Sequence, residues 1–429
     1  MLNRMLLVGV GAWLVLAALP ASSGASTAGA AAPSFTNEAL WSASDDWEPN
    51  VATDPSSSYV YEVTTRYSNK FCAKGQGHCM AFRSSANGGA TWSGDSLLCP
   101  CKAAQNDPVM KVATDGTIYD VHMNGYAVVF QKSSDHGQTW TAPIDFKALS
   151  GLSFTDKPWI AISPAGQDVY VAFNSTGSYV SVSHNYGASF SMPAKTNSDA
   201  LYWFAEGGVV APDGDVYFSE SAEQDAKSPT GPIKLAVVSS TNRGASWTTT
   251  FIDTSQQQPA CTAKSCPADF FGAQAAIAVD PAGTIMVAYA KSTTAAAPMS
   301  LYEVTSANGV NWSAPIALGS GGTKIGADFP AVAAGPTAGD FRVAWMDDRN
   351  GAGAFNVWYR ATTTSGAWGP QVRLSNLGSG APYKTAAGFA FTYGDYFSMA
   401  VNSAGKSYVI WGEGPSYTGP GGTWSASGS

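Results

Sequence analysis

The fold is decided by the stretch Ser133-Ser-Asp135-His-Gly137-Gln-Thr139-Trp140. In such a stretch the short carboxylate can accept hydrogen bonds from backbone amides across a tight turn, and the glycine permits a positive φ. The aromatic residue can pack between neighbouring sheets. The pattern recurs in three further full copies, one shortened copy and two decayed copies, which end at Trp92, Phe190, Trp247, Trp312, Trp368 and Trp424. Seven copies predict a protein built from seven repeated units.

The copies are roughly 48 to 65 residues apart, which suits a four-stranded sheet. Between them a second repeat places an extended apolar segment, a turn and another extended segment, as in residues 51–55 before 59–63. Each of the two repeats occurs seven times in the sequence. The sequence therefore predicts an all-β fold, a β-propeller of seven four-stranded blades, with the octapeptides in the turns between third and fourth strands. Six blades are the alternative. Residues 35–44 are expected to supply an outer strand of the last blade and so close the ring.

The N-terminal segment, residues 1–30, has the order of a secretory signal peptide. Arg4 precedes an apolar run of about 15 residues and then small residues, and such a run is shorter than the roughly 20 that span a membrane. Cleavage is expected between about residues 21 and 32. We expect a secreted, extracellular or periplasmic protein without membrane insertion, a monomer, with residues 35–429 as one propeller domain.

The charge of the chain restricts its possible binding partners, and its cysteine content indicates disulfides. The chain has 23 Lys and Arg against 31 Asp and Glu, a net charge of −8, which disfavours nucleic acid. Six cysteines in an exported chain indicate disulfides. Cys261 and Cys266 are expected to pair. Cys99 and Cys101 are expected to bridge to Cys72 and Cys79, because a bridge within Cys-Pro-Cys would be strained; a zinc site is the less favoured alternative.

Chain direction places the starts of the inner strands on one face, at the mouth of the central channel, where propellers usually bind ligands. An acidic residue precedes the inner strand of every blade: Glu48, Asp107, Asp156, Glu206, Asp269, Asp328 and Asp395. No cofactor is predicted. The acidic ring could bind calcium, or its carboxylates could cap the strand starts and adjoining amides, which is the favoured interpretation.

The octapeptide is the Asp box, or BNR repeat, and the whole pattern resembles the sialidase (neuraminidase) superfamily. The resemblance implies three arginines that bind a substrate carboxylate, an Asp acid/base and a Tyr nucleophile assisted by Glu. Arg66 matches the second arginine, Tyr396 resembles the nucleophile, and Glu413 follows the next strand. Glu48, however, stands where the first arginine is expected, and residues 68–80 contain no Asp. True sialidase activity is therefore disfavoured.

The densest charged cluster is Asp347-Asp348-Arg349-Asn350, for which an internally paired loop is the alternative to a functional role. The predicted catalytic residues are Asp347, Asp348, Tyr396 and Glu413. The predicted substrate-binding residues are Arg66, Arg349, Glu48, Asp156 and Asp395. We expect a propeller that acts on or binds carbohydrate at this mouth, as a glycoside hydrolase or, alternatively, as a non-catalytic module for glycan or protein. The sequence leaves open whether the protein is an enzyme.

Overall fold

The computed structural model describes residues 32–42, 45–67, 70–99, 101, 103–224, 231–257, 273–319, 325–351, 354–363, 366–376, 381–382, 398–413 and 422–429. Within them, strand β1 (Ala39–Ser42) comes first and joins the last blade. The first blade contains β2 (Asp45–Thr53), β3 (Val60–Tyr67), β4 (Cys79–Ser85) and β5 (Ser96–Leu97). The second blade contains β6 (Gln105–Val112), β7 (Ile118–Asn124), β8 (Val128–Ser133) and β9 (Ile144–Asp145) and is followed by the short helix α1 (Phe146–Ser150). The third blade contains β10 (Asp156–Ile162), β11 (Val169–Ser175), β12 (Gly177–Ser183) and β13 (Ala194–Lys195).

The fourth blade contains β14 (Tyr202–Val210), β15 (Val216–Glu223), β16 (Ile233–Ser240) and β17 (Thr248–Ser255). The fifth blade contains β18 (Ala275–Val279), β19 (Ile285–Lys291), β20 (Ser300–Ser306) and β21 (Ile316–Ala317). The sixth blade contains β22 (Ala327–Ala334), β23 (Phe341–Asp347), β24 (Ala354–Ala361) and β25 (Val372–Arg373), with β26 (Ala381–Pro382) paired to β24. The seventh blade contains β27 (Ser398–Val401), β28 (Ser407–Glu413), β29 (Gly422–Gly428) and β1. The seven antiparallel sheets form the predicted seven-bladed propeller, and residues 32–429 form one compact unit.

The octapeptides form the turns between the third and fourth strands. In the second blade, Oγ of Ser133 accepts a hydrogen bond from the backbone N–H of Gly137 at 2.9 Å, and Oδ1 of Asp135 accepts one from that of Thr139 at 2.9 Å. The turns that begin at residues 85, 183 and 240 repeat these bonds. Gly137 has φ +85°, and a Cβ there would overlap the ring of Phe82 in the preceding blade. The glycine therefore serves both the turn and the close contact between blades.

The ring closes through the N-terminal residues, as predicted. Strand β1 pairs with β29, with Leu40 opposite Trp424. The indole N–H of Trp41 donates to Asp95 at 3.3 Å, and the guanidinium of Arg83 lies 4.2 Å from the Trp41 ring centroid and 4.5 Å from that of Trp92. Because Trp41 belongs to the last blade and the other three residues to the first, these contacts fasten the two ends of the ring.

Several inner strands begin with a β-bulge. The register shifts at the bulge, and among the described residues four blades have one bulge residue with a left-handed backbone, followed by proline. These residues are Glu48 (φ 54°), Asp107 (φ 56°), Lys157 (φ 48°) and Phe329 (φ 54°). A left-handed non-glycine residue costs on the order of 1–3 kcal/mol and such bulges are common beside functional sites.

The disulfides are local. Cys72 is bonded to Cys79 and Cys99 to Cys101, so the predicted bridges between the two pairs are wrong. The Cα atoms of each pair lie 5.6 Å and 5.2 Å apart, inside the span of a disulfide, because each pair closes a loop within the first blade. The four residues are thus unavailable as thiolate ligands of zinc. Cys261 and Cys266 lie outside the described residues. Among the described residues, no helix is both long and apolar enough to cross a membrane.

Candidate functional site

The inner strands surround a central channel with a volume of about 740 Å³. We call the end where these strands begin the mouth. The channel lining includes five carboxyl groups, those of Glu48, Asp107, Asp156, Glu206 and Glu223. Further along the strands the lining becomes apolar, with residues such as Val112, Val209, Val279, Ala334 and Val401. The channel is therefore acidic at its mouth and, apart from Lys111, mainly apolar below it.

Two glutamates at the mouth, Glu48 and Glu206, make the same pair of contacts in different blades. Oε2 of Glu48 accepts hydrogen bonds from the hydroxyl of Thr65 at 2.9 Å and from the backbone N–H of Asp107 at 3.0 Å. Glu206 accepts from the hydroxyl of Ser221 at 2.6 Å and from the backbone N–H of Ala275 at 2.6 Å. Each glutamate thus binds the second strand of its own blade and the inner strand of the next one, which agrees with the capping interpretation of the acidic ring.

The other described acidic residues of that ring make different contacts. Asp107 is a bulge residue like Glu48, and its carboxylate accepts a hydrogen bond from Nζ of Lys157 in the next blade at 3.1 Å. Asp156 and Asp328 instead precede the bulge residues Lys157 and Phe329. The carboxylate of Asp156 accepts a hydrogen bond from the N–H of Lys157 at 2.9 Å. Asp269 and Asp395 lie outside the described residues.

The acidity of Glu206 at the mouth is strongly perturbed. Burial raises the pKa of Glu206 well above its usual range, and the charges of Glu223 and Glu220 raise it further, whereas the hydrogen bonds from Ser221 and Ala275 oppose the rise. Its carboxyl group therefore keeps its proton to a higher pH than an ordinary glutamic acid. A protonated carboxyl at a channel wall is a candidate general acid.

Glu223, which also lines the channel, was missed by the sequence reasoning. It is the last residue of β15, lies opposite Tyr202 and is 2% exposed. The sequence contains one signal for it. Glu223 ends the second strand of its blade, and Tyr67, which also lines the channel, ends the second strand of the first blade. Glu220 lies on the same strand but faces the third blade, where the hydroxyl of Ser178 donates to it at 2.8 Å.

The cluster Asp347-Asp348-Arg349 pairs within its own blade. Nε of Arg349 donates to Oδ1 of Asp347 at 2.7 Å, and Nη2 of Arg349 contacts Oδ2 of Asp347. The same guanidinium lies 3.7 Å from the ring centroid of Trp358, and Nη1 donates to Gln371 at 2.7 Å. Asp348 accepts a hydrogen bond from the backbone N–H of Gly326 at 2.7 Å. None of the three lines the described channel.

Arg66 is likewise held by carboxylates of its own blade. Its guanidinium donates to both oxygens of Asp46, at 2.8 Å and 2.9 Å, and to Asp95 at 2.7 Å. Arg66 is 4% exposed. Tyr396 and Asp395 lie outside the described residues, and Glu413 ends β28, where only its backbone is described. The structure thus brings Glu48 and Asp156 together at the channel, while Arg66, Asp347 and Arg349 form ion pairs inside the blades.

A metal site is not evident in the part of the chain that the structure describes. No group of three or more His, Cys, Asp or Glu side chains there could hold a metal ion. The calcium interpretation of the acidic ring remains a prediction for the full ring, which includes Asp269 and Asp395.

No protein-family model matches the sequence, and no curated protein matches it. Solved structures do match. A PL25 ulvan lyase bound to -[GlcA(1-4)Rha3S]- matches with a TM-score of 0.56 and 10% identity, over 91% of this chain and 95% of its own. A fungal alcohol oxidase of the AA5 family, in complex with copper, matches with a TM-score of 0.54 and 11% identity, over 92% and 76%. A Hadza microbial sialidase matches with a TM-score of 0.49 and 13% identity, over 89% of this chain and 65% of that one.

These likenesses concern the fold. The chain is a seven-bladed β-propeller, and solved structures that share its fold include a polysaccharide lyase. They also include an oxidase, so the fold alone does not define the chemistry.

Proposed function

We propose that this protein binds a glycan at the channel mouth and hydrolyses it, with Glu206 as the general acid. The observation that carries the proposal is the position of Glu206: a partly buried carboxyl with a raised pKa lines the channel together with the carboxyl of Glu223. Glycoside hydrolases need one carboxyl that is protonated and a second that acts as base or nucleophile. Glu223 is the proposed second carboxyl. The likeness to the ulvan lyase supports a carbohydrate ligand.

The charge of the mouth favours a neutral sugar. Of the charged side chains that line the described channel, five are carboxyls at the mouth. The cation Lys157 is already paired with Asp107, and Lys111 lies further along its strand. A substrate carboxylate would meet like charges there and find no free arginine, since Arg66 and Arg349 are paired inside their blades. A neutral glycan would avoid this repulsion and could accept hydrogen bonds from a protonated Glu206.

The test is a screen of the purified protein against chromogenic neutral glycosides and a glycan array, with two matched variants. Glu206→Gln removes the proton donor, and we expect kcat to fall by about 10²-fold or more. Glu303→Gln changes a buried glutamate on β20 of the fifth blade, whose carboxyl accepts the indole N–H of Trp368 at 2.8 Å and does not line the channel, and should leave turnover unchanged. Turnover by Glu206→Gln at the rate of the unmodified protein would contradict the role of Glu206.

A second candidate function, non-catalytic glycan binding, is supported by aromatic side chains in the same lining. Trp47 and Tyr67 lie with their ring centroids 4.6 Å apart, and Tyr202 also lines the channel. Such rings provide stacking faces for sugars. Binding on the array without turnover of any glycoside would favour this function over the first.

The predicted residues Asp395, Tyr396 and Glu413 are proposed to contribute to the same mouth, because their blade supplies Ser398 and Met399 to the channel lining. Tyr396→Phe and Glu413→Gln test this in the same assays. Asp348→Ala and Arg349→Ala test the predicted role of the charged cluster in the sixth blade.

Secretion is proposed from residues 1–30; N-terminal sequencing of protein recovered from the medium should find a start between residues 22 and 33.

A further inference from the structure

Lys111 introduces an amine into an otherwise apolar ring of the channel. In each blade, one inner-strand residue lies opposite the same position of the second strand: Lys111 opposite Tyr119, Ala52 opposite Tyr61 and Ala400 opposite Tyr408. The corresponding residues in the other four blades are Ala161, Val209, Ala278 and Ala333. Lys111 lines the channel with five of these six apolar residues, all except Ala161. The second blade thus carries a lysine where its equivalents carry Ala or Val.

The amine of Lys111 has no hydrogen-bond or ion-pair partner among the residues that the structure describes. Other lysines differ in this respect: Nζ of Lys157 contacts Asp107 at 3.1 Å, and Nζ of Lys291 contacts Asp253 at 2.6 Å. Burial lowers the pKa of Lys111, and among the described residues no neighbouring charge adds to or opposes that effect. A mostly buried amine without a counter-ion is more often neutral, and so more nucleophilic, than an exposed one.

Two ligand classes suit an amine in an apolar channel, anions and carbonyl compounds. An anion would have to pass the carboxyl groups of Glu48, Asp107, Asp156 and Glu223 at the channel mouth. The net charge of the whole chain, −8, would also repel it. An uncharged aldehyde or ketone meets no such repulsion, and apolar walls accommodate its carbon chain. The charge distribution therefore favours the carbonyl compound.

We propose that Lys111 is a nucleophilic site at which small uncharged carbonyl compounds form an imine inside the channel. The lone pair of Nζ attacks the carbonyl carbon, forming the C–N bond, and the carbonyl oxygen takes up a proton. The oxygen then leaves as water with the second proton of the amine, and no oxidant or reductant is consumed. This site is separate from the carboxyls of the proposed glycan site and does not depend on glycan chemistry.

The experiment traps the imine in the unmodified protein. Propanal and cyanoborohydride are added at pH 7 for short times, and alkylation of each lysine is measured by peptide mapping. Lys195 is the internal control, because it is exposed and lies on a strand. We expect Lys111 to react several-fold faster than Lys195, because a lowered pKa leaves a larger fraction of its amine neutral at pH 7. The difference should shrink at pH 10, because an ordinary exposed amine is also largely neutral near that pH.

Reaction of Lys111 at or below the rate of Lys195 at pH 7 would overturn the proposal, whether the cause were a charged amine or a closed channel. Glyoxylate, an anionic aldehyde, tests the ligand class by the same chemistry. We expect the preference for Lys111 over Lys195 to be smaller with glyoxylate than with propanal. A larger preference with glyoxylate would show that the channel selects anions, and the uncharged class would be wrong.

Discussion

Oε2 of Glu48 accepts a hydrogen bond from the backbone N–H of Asp107 at 3.0 Å, so that the start of one inner strand is fastened to the start of the next. Because the same oxygen also accepts from Thr65, Glu48→Ala leaves two buried donors without their acceptor. We expect a loss of about 1–3 kcal/mol in the free energy of unfolding. Glu48→Gln keeps an oxygen for both donors and should lose less. Chemical denaturation of the two variants checks this, and equal losses would mean that the charge, rather than the acceptor, matters.

The glycine of an octapeptide turn is required by packing as well as by backbone conformation. Gly137→Ala adds a Cβ that overlaps Phe82 at a residue with φ +85°, and we expect a loss of about 2–4 kcal/mol. Gly214 has φ +95° but has nothing within 4 Å of a Cβ, so Gly214→Ala should lose only about 1 kcal/mol. Thermal and chemical denaturation of the two variants separate the two causes. Equal losses would show that close approach to Phe82 is unimportant.

Closure of the ring depends on Trp41. Trp41 is 9% exposed and packs against Arg83, so Trp41→Ala should lower the free energy of unfolding by about 3–5 kcal/mol. Leu40 lies on the same strand but is 45% exposed, and Leu40→Ala should change the free energy by about 0.5 kcal/mol or less. If the two variants unfold alike, strand pairing alone closes the ring.

Glu220 should make the protein less stable as the pH rises. Burial raises the pKa of Glu220 to about 8, whereas the unfolded chain has an ordinary glutamic acid. The unfolded state therefore loses its proton between about pH 4.5 and 8 while the folded state keeps it, and folding is penalised in that window. Glu220→Gln removes this penalty and should be more stable than the unmodified protein at pH 8 by about 2–4 kcal/mol, but not at pH 4. Urea denaturation at the two pH values measures the difference, and a pH-independent difference would contradict the buried, protonated state.

Tyr126 is expected to provide a stacking face for the glycan beside the mouth, a prediction that depends on the proposed function. Its side chain is 80% exposed, but its carbonyl accepts from the N–H of Thr155 at 3.2 Å, next to channel-lining Asp156, and Gly125 donates to Ala104 at 2.7 Å. Tyr126→Ala should raise KM, or the dissociation constant of a bound glycan, about fivefold. Tyr186→Ala is the control, since Tyr186 is 46% exposed on the opposite face. Equal effects of the two variants would contradict a specific contact.

The blades could be predicted because each is specified by nearby residues. Ser133, Asp135 and Gly137 form their turn through hydrogen bonds that span at most four residues, so the turn is visible in the sequence as a pattern of residue types. The contribution of β1 to the last blade was predicted as well, because a ring of four-stranded blades leaves one strand position to fill. The pairing of Cys72 with Cys79 was not, because spacing alone does not show which loop folds back on itself.

The candidate site was only partly predicted, and the reason lies in contacts between blades. Glu48 and Asp156 were expected at the mouth and line the channel, but Glu223 and Lys111 were missed because neither belongs to a recurring motif. Asp347 and Arg349 looked functional as neighbours in the sequence, and in the structure they pair with each other.

By itself, the sequence determined the number of blades, the octapeptide turns and the acidic character of one face, because these depend on local turn chemistry, hydrophobic alternation and chain direction. Only the tertiary structure decided which acidic groups face the channel, because that depends on small shifts of register. The bulge beside Glu206 directs its carboxyl toward Ser221 and Ala275 at the channel wall, while Glu220 on the neighbouring strand faces Ser178 in the preceding blade. A strand's side chains alternate between its two faces, so a shift of one residue decides whether a carboxyl lies at the channel or between blades.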